Sequence, residues 1–236
     1  MNDFIRVPSE YAIDFTLDGL DMNSKDLSIL RPRKEFDWDD FYRQGTPPWD
    51  TGLLEPDLKR LVDEGIVAPC PALELGCGSG IEAIYLAKKR FDVTAVDCSA
   101  MAIDRAQSRA RSQNALLRIV HDDVFKFCNS LKYKFDFVYD IGFYHFIRKH
   151  HLSAFIDLLW KITRKGSLYF TLAGSDEEEI EESFSHQNFL PTVCYDDIFN
   201  ELGTLFEVVE IRPGTIYSRA REEPYKAWAC LFRRPW

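Results

Sequence analysis

The chain has 236 residues, 46% hydrophobic and 14% aromatic, enough apolar material for one large core. With 29 Lys+Arg against 38 Asp+Glu the formal charge is -9, which repels phosphate backbones and anionic bilayers and disfavours nucleic acid and membrane surfaces as partners. No stretch approaches the roughly 18 apolar residues of a spanning helix, and Met1-Asn2-Asp3-Phe4-Ile5-Arg6 lacks a basic stretch followed by an apolar run, so the chain reads as cytoplasmic.

Residues 1–34 show no sustained period and read as an N-terminal extension, leaving 35–236 as one domain. The segment 35–43 sets Phe36, Trp38, Phe41 and Tyr42 among acids, a short aromatic helix stopped by Gly45-Thr46-Pro47-Pro48. Pro56 opens a second helix, since proline suits a first turn. From 71 onward short apolar runs alternate with amphipathic stretches. Strands are expected at 72–75, 92–96, 116–120, 135–140 and 167–173. Helices are expected after the glycine turn at 76–80, at 99–111, and where Leu152, Phe155, Ile156 and Leu159 form one face. This alternation implies a parallel sheet covered on both faces. Two late strands, 206–211 and 227–232, have no helical period between them and read as an antiparallel hairpin. The expected fold is a doubly wound, Rossmann-like α/β domain with a seven-stranded, mostly parallel sheet. The acidic run 176–182 reads as a solvated helical turn opened by a Ser175-x-x-Glu178 capping box. The cysteines at 70, 77, 98, 128, 194 and 230 show neither C-x-x-C pairing nor clustered histidine, so neither a metal site nor a disulfide framework is expected.

Glu74-Leu75-Gly76-Cys77-Gly78-Ser79-Gly80 lies between the first strand and its helix, where backbone approaches a ligand only if side chains are missing. The spacing is G-x-G-x-G. The third glycine of a dinucleotide fingerprint would fall at Ile81, and no phosphate-loop lysine follows, so neither a nicotinamide nor a nucleoside-triphosphate site fits well. Asp97 ends the second strand about 20 residues beyond the turn, where a carboxylate accepts the two hydroxyls of a ribose. Asp123 follows the third strand, where an acid beside a backbone amide suits an adenine edge, and Asp140 ends the fourth. All three face the crevice at the carboxyl ends of the strands, and its acidity suits a cationic cofactor.

Together these residues resemble the class I S-adenosylmethionine-dependent methyltransferases. The resemblance implies that the glycine turn, with Gly76 and Gly78, holds the methionine portion, Asp97 the ribose and Asp123 with Val124 the adenine, with Glu74, Cys98 and Asp140 also in the cofactor site. A narrower resemblance runs through Trp38-Asp39-Asp40-Phe41-Tyr42-Arg43-Gln44-Gly45-Thr46-Pro47-Pro48-Trp49-Asp50-Thr51-Gly52, which is similar to the N-terminal segment of the thiopurine, halide/thiol and tellurite-resistance methyltransferases. It implies a lid at 35–52 in which Trp38, Tyr42 and Trp49 pack over S-adenosyl-L-methionine. The segment 140–146 is only loosely similar to that branch.

Methyl transfer from a sulfonium needs positioning and dryness more than acid-base chemistry, and a soft nucleophile such as a thiol needs no dedicated base. The expected partner is therefore a small-molecule acceptor, a thiol or other soft nucleophile, with O- or N-methylation of a small metabolite, or a non-catalytic cofactor-binding module, as alternatives. Tyr144 and His145 follow the fourth strand as catalytic candidates. His145 reads either as a proton acceptor or as a histidine at a helix start bonded to backbone. Tyr217, Arg219 and Arg221 either cap the acceptor pocket or belong to a solvated loop. The chain is expected to be a monomer or homodimer.

Overall fold

A computed structural model describes residues 37–178 and 191–236. The expected extension at 1–34 and the acidic residues 179–182 lie outside them. Seven of the eight strands of one sheet lie in the order β3-β2-β1-β4-β5-β8-β7. They are β1 (Pro71–Leu75), β2 (Asp92–Asp97), β3 (Arg118–His121), β4 (Phe135–Ile141), β5 (Thr163–Ser175), β7 (Glu207–Ile216) and β8 (Tyr225–Arg233). β1 to β5 run parallel, with Leu73 opposite both Thr94 and Val138. β8 inserts antiparallel between β5 and β7, so Cys230 faces Thr171 on one side and Ile211 on the other. Strands 1 and 4 read as near-continuous apolar runs because the sheet is covered on both faces. On one face Leu58, Leu61, Ala83, Leu86 and Ile103 meet Phe137, Phe170 and Leu231. On the other Phe127, Phe155, Leu158 and Leu159 meet Val138, Tyr169 and Phe232.

The first face is covered by α2 (Pro56–Asp63), α3 (Ile81–Lys88) and α4 (Ala100–Ser112), the second by α5 (Val124–Ser130), α6 (Tyr144–Ile162) and α7 (Tyr195–Ile198). Several of these depart from the sequence reading. α5 is too short to show a period; it forms because Asp123 caps it, its Oδ1 accepting the Lys126 amide at 2.8 Å. Beyond 190 a two-residue β6 (Thr192–Val193) pairs with β5 as an eighth strand, and α7 passes directly into a π-helical turn at Phe199–Gly203. β3 starts at Arg118 rather than 116: Asn114 takes a left-handed φ of 52°, and Leu116 is 91% exposed. α6 starts at Tyr144, well before the apolar face that begins at Leu152. A kink at His151 (φ -133°) separates the two halves and breaks the period.

The aromatic segment folds as expected into α1 (Trp38–Arg43), capped by Asp37, and a loop that reaches Pro56. Among the described residues no helix is long and apolar enough to cross a membrane. All six cysteines are free thiols.

Candidate active site

Three glycines within five residues bend the chain between β1 and α3, all left-handed: Gly76 at φ 68°, Gly78 at 50° and Gly80 at 77°. The Gly76 and Cys77 amides both donate to the Val96 carbonyl, at 2.9 and 3.0 Å, which locks the turn to β2. A side chain at Gly76 would put its Cβ 2.9 Å from Phe143 Cδ2, and one at Gly78 would meet the Tyr42 hydroxyl at 3.3 Å. Backbone shape and available space therefore both demand glycine here.

Asp97 closes the turn from the next strand. Its Oδ2 accepts the Gly78 amide and its Oδ1 the Ser99 amide, each at 2.8 Å, leaving each carboxylate oxygen with further accepting capacity. Burial pushes its carboxyl above the usual range, against the pull of those two amides. Cys98 beside it is exposed, and its carbonyl accepts His121 Nε2 at 3.0 Å. β3 lies next to β2 with His121 opposite Asp97, and the Asp122 amide bonds the Asp97 carbonyl at 3.1 Å. That places Asp123 and Val124 at the same end of the sheet. Asp123 spends its Oδ1 on capping α5, and Val124 takes the first helical position, whose amide finds no partner inside a helix. Glu74 lies beneath the turn, 2% exposed, taking the Tyr139 hydroxyl at 3.3 Å. Burial and the neighbouring Glu82 push its carboxyl well up, and burial pushes Glu82 itself to about 7.

Trp38, Tyr42 and Trp49 come together above the turn. Trp38 packs edge-on against Trp49 at 5.6 Å between ring centroids and against Phe146 of α6 at 4.8 Å; Trp49 Nε1 donates to the Tyr42 hydroxyl at 3.3 Å. Tyr42, 3% exposed, thus joins the aromatic group to Gly78.

The residues at the end of β4 and just beyond it are committed differently. Asp140 is fully buried and accepts four hydrogen bonds: from the amides of Phe143 (2.9 Å) and Tyr144 (3.0 Å), the Thr171 hydroxyl (3.1 Å) and the Tyr169 hydroxyl (2.7 Å). It holds the start of α6 against β5, and its carboxyl is not turned over to the crevice. The Tyr144 hydroxyl points into the protein and donates to Glu201 at 2.6 Å, where Arg148 also binds. His145 is 4% exposed; its Nδ1 accepts the Gly174 amide at 2.8 Å, so the proton sits on Nε2. Burial lowers its pKa to about 3. An unfolded histidine takes up a proton near pH 6.5 and this one resists until about 3, so its contribution is complete above pH 6.5 and is lost as pH falls toward 3. His145→Asn, which keeps an acceptor for Gly174, is expected to abolish that component. In urea titrations the parent should lose about 2 kcal/mol relative to the variant between pH 7 and pH 5; parallel curves would show that His145 is not the group responsible.

Other residues that shape the site were not singled out from the sequence. Asp50, 5% exposed, takes the Ser79 hydroxyl at 2.5 Å and pairs with Arg105 at 3.2 Å and Arg109 at 3.3 Å. Asp39 accepts the Ser99 hydroxyl and the Met101 amide, tying α1 to the start of α4. The available signal was the i,i+4 spacing of Arg105 and Arg109, which sets two cations on one helical face. Of the hairpin-loop residues, Arg219 donates its amide to the Pro48 carbonyl at 2.7 Å and Tyr217 its amide to Glu55 Oε1 at 3.0 Å. Arg221 instead stacks on Tyr225 and pairs with Glu178. The loop is docked on the aromatic segment rather than simply solvated.

A left-handed glycine turn after β1, a carboxylate with spare acceptors at the end of β2 and a capped acid after β3 fit a nucleoside with an unphosphorylated ribose. They sit at the carboxyl ends of a parallel sheet with an inserted antiparallel β8, the arrangement of the class I methyltransferase fold. Residues 72–166 match the family described as a methyltransferase domain. The probable thiol methyltransferase 2 of Arabidopsis thaliana is 27% identical over 126 residues, 52% of this chain and 55% of that protein, so the match spans little more than half of that relative. Thiocyanate methyltransferase 1 of Brassica oleracea is 24% identical over 83% of this chain and 85% of its own length. Among solved structures, one described by the conversion of a disulfide bond into a thioacetal group during echinomycin biosynthesis superposes with a TM-score of 0.72 at 24% identity. It covers 84% of this chain and 90% of its own.

Proposed function

We propose that the protein is an S-adenosylmethionine-dependent methyltransferase of a small molecule bearing a soft nucleophile, a thiol before other acceptors, and that residues 35–236 act as one domain with 35–52 as its lid. The observation that carries the cofactor reading is Asp97, held at 2.8 Å by the Gly78 and Ser99 amides with accepting capacity to spare on both oxygens. S-adenosylmethionine supplies an electrophilic methyl group on a sulfonium sulfur, so the chain's task is to orient the acceptor in line and exclude water. Gly76 and Gly78 give the backbone its close approach, Asp97 binds the ribose hydroxyls, and Asp123 with the Val124 amide takes the adenine edge. Trp38, Tyr42 and Trp49 cover the crevice, and their ring faces favour a cation over a neutral group. Glu74 holds the turn from below, bonded to the Tyr139 hydroxyl and to the backbone amide of Ala83 in α3.

The acceptor class follows from what the start of α6 withholds. His145 gives its basic nitrogen to Gly174, and its lowered pKa makes it a weak proton acceptor; the Tyr144 hydroxyl belongs to Glu201. A phenol or alcohol needs a base, whereas a thiol supplies its own thiolate. The names of the two curated relatives and the sulfur chemistry of the solved neighbour support the same choice. The test is the pH dependence of transfer to a simple thiol. Rate should climb with pH toward that thiol's own pKa, and His145→Ala should cost less than the roughly 10²- to 10⁴-fold typical of losing a general base. Abolition of transfer by His145→Ala, with the fold retained, would instead support an acceptor whose proton the enzyme removes.

A further inference from the structure

The aromatic segment cannot hold itself in place. α1 has only six residues, far below the length at which a helix persists alone, so whatever keeps 38–52 over the glycine turn comes from outside it. Asp39 ties it to Ser99 and Met101 and the Arg219 amide to Pro48, and a further set of contacts converges on two arginines one turn apart on α4. The Arg105 guanidinium donates to the Tyr42 carbonyl at 3.1 Å, the Gly45 carbonyl at 2.6 Å and Asp50 at 3.2 Å, and lies 4.9 Å from the centre of the Tyr42 ring. Arg109 donates to Asp50 at 3.3 Å and to the Ser79 carbonyl at 2.6 Å, and also binds the Ser79 hydroxyl. Ser79 lies between Gly78 and Gly80 and donates its hydroxyl to Asp50. One buried carboxylate therefore joins three parts: the covering segment, helix α4 and the glycine turn. The cluster opens outward onto a cleft of about 380 Å³ lined by Thr46, Ser108 and Arg219 as well as the two arginines, so it can be released without unpacking the sheet.

We propose that Asp50, Arg105 and Arg109 form a latch that closes the segment 38–52 over the cofactor and couples that closure to the shape of the glycine turn. They are positioning residues, acting through Tyr42, Gly45 and Ser79. The proposal rests on the methyltransferase reading for the identity of the ligand, whereas every contact of the latch lies within the chain itself. A latch acts on escape rather than on encounter: its loss speeds dissociation and leaves association nearly unchanged.

The test uses the 236-residue chain and its Arg105→Ala, Arg105→Lys and Asp50→Asn variants. Arg233→Ala, which removes a surface pair with Glu207, is the control. Hydrogen exchange without ligand reads the amides of Gln44, Asp50 and Thr51, which are bonded within the segment; stopped-flow displacement reads the dissociation of S-adenosylhomocysteine. In Arg105→Ala and Asp50→Asn, exchange in the segment and ligand dissociation should each accelerate about tenfold or more, with association changed less than about threefold. Arg105→Lys, keeping the charge but not the three-way fork, should fall between parent and Arg105→Ala, and the control should match the parent. Unchanged exchange in all latch variants overturns the latch, and faster exchange with unchanged dissociation overturns its coupling to the cofactor. A variant that fails to fold is set aside in favour of Arg105→Lys, for which the same two outcomes decide. A parent chain that binds no S-adenosylhomocysteine would overturn the proposed function, and the latch would then stand or fall on exchange alone.

Discussion

Asp97→Ala is expected to weaken binding of S-adenosylhomocysteine by about 1–3 kcal/mol, the usual cost of losing a charged hydrogen-bond partner. The loss has two sources: the ribose hydroxyls lose their acceptor, and the Gly78 and Ser99 amides lose the carboxylate that fixes the turn. The side chain sits at a strand end and supports little of the core, so the variant should fold. Calorimetry with S-adenosylhomocysteine, S-adenosylmethionine and NAD on parent and variant checks both the size and the ligand class. A folded variant that binds like the parent would assign the ribose to another residue.

Asp140→Ala should do the opposite, damaging the fold before any chemistry is reached. Removing a fully buried carboxylate strands four donors, the Phe143 and Tyr144 amides and the Thr171 and Tyr169 hydroxyls. A destabilisation of about 3–5 kcal/mol is expected, with a fall in Tm of roughly 10 °C or more. Tyr169→Phe, which strands none of the other donors, should cost only about 1 kcal/mol. Thermal scans of both variants check this. If Asp140→Ala kept the parent's Tm and lost only cofactor affinity, Asp140 would belong to the ligand and not to α6.

The parallel half of the fold was legible because β1, β2, β4 and β5 are largely buried and α4 carries an apolar stripe, so the period of the sequence changes where these elements meet. The glycine turn and Asp97 were legible for a different reason: few residues other than glycine accept φ values of 50° to 77° in succession, and a carboxylate at the end of β2 has one obvious use. Elements shorter than two helical turns leave no period, which hid α5 and α7 even though Asp123 and Cys194 cap them. Tyr144 and His145 stood at the right place in the chain, but sequence order does not say which way a side chain points. Only the fold shows that Tyr144 turns toward Glu201 and that His145 is bound to Gly174. The Asp50 cluster escaped because Asp50 stands 29 to 59 residues from its partners and meets them only when α4 packs against the covering segment.

The most direct test of the whole account is the formation of S-adenosylhomocysteine from S-adenosylmethionine across a matched panel of thiols, halides, phenols and amines, read as kcat/KM for each acceptor. Turnover is expected, with a thiol as the best substrate and phenols and amines at least about tenfold slower, because no uncommitted base stands at the start of α6. Phenols or amines faster than every thiol and halide would contradict the acceptor class, and tight binding of S-adenosylmethionine without turnover on any acceptor would contradict the enzyme itself.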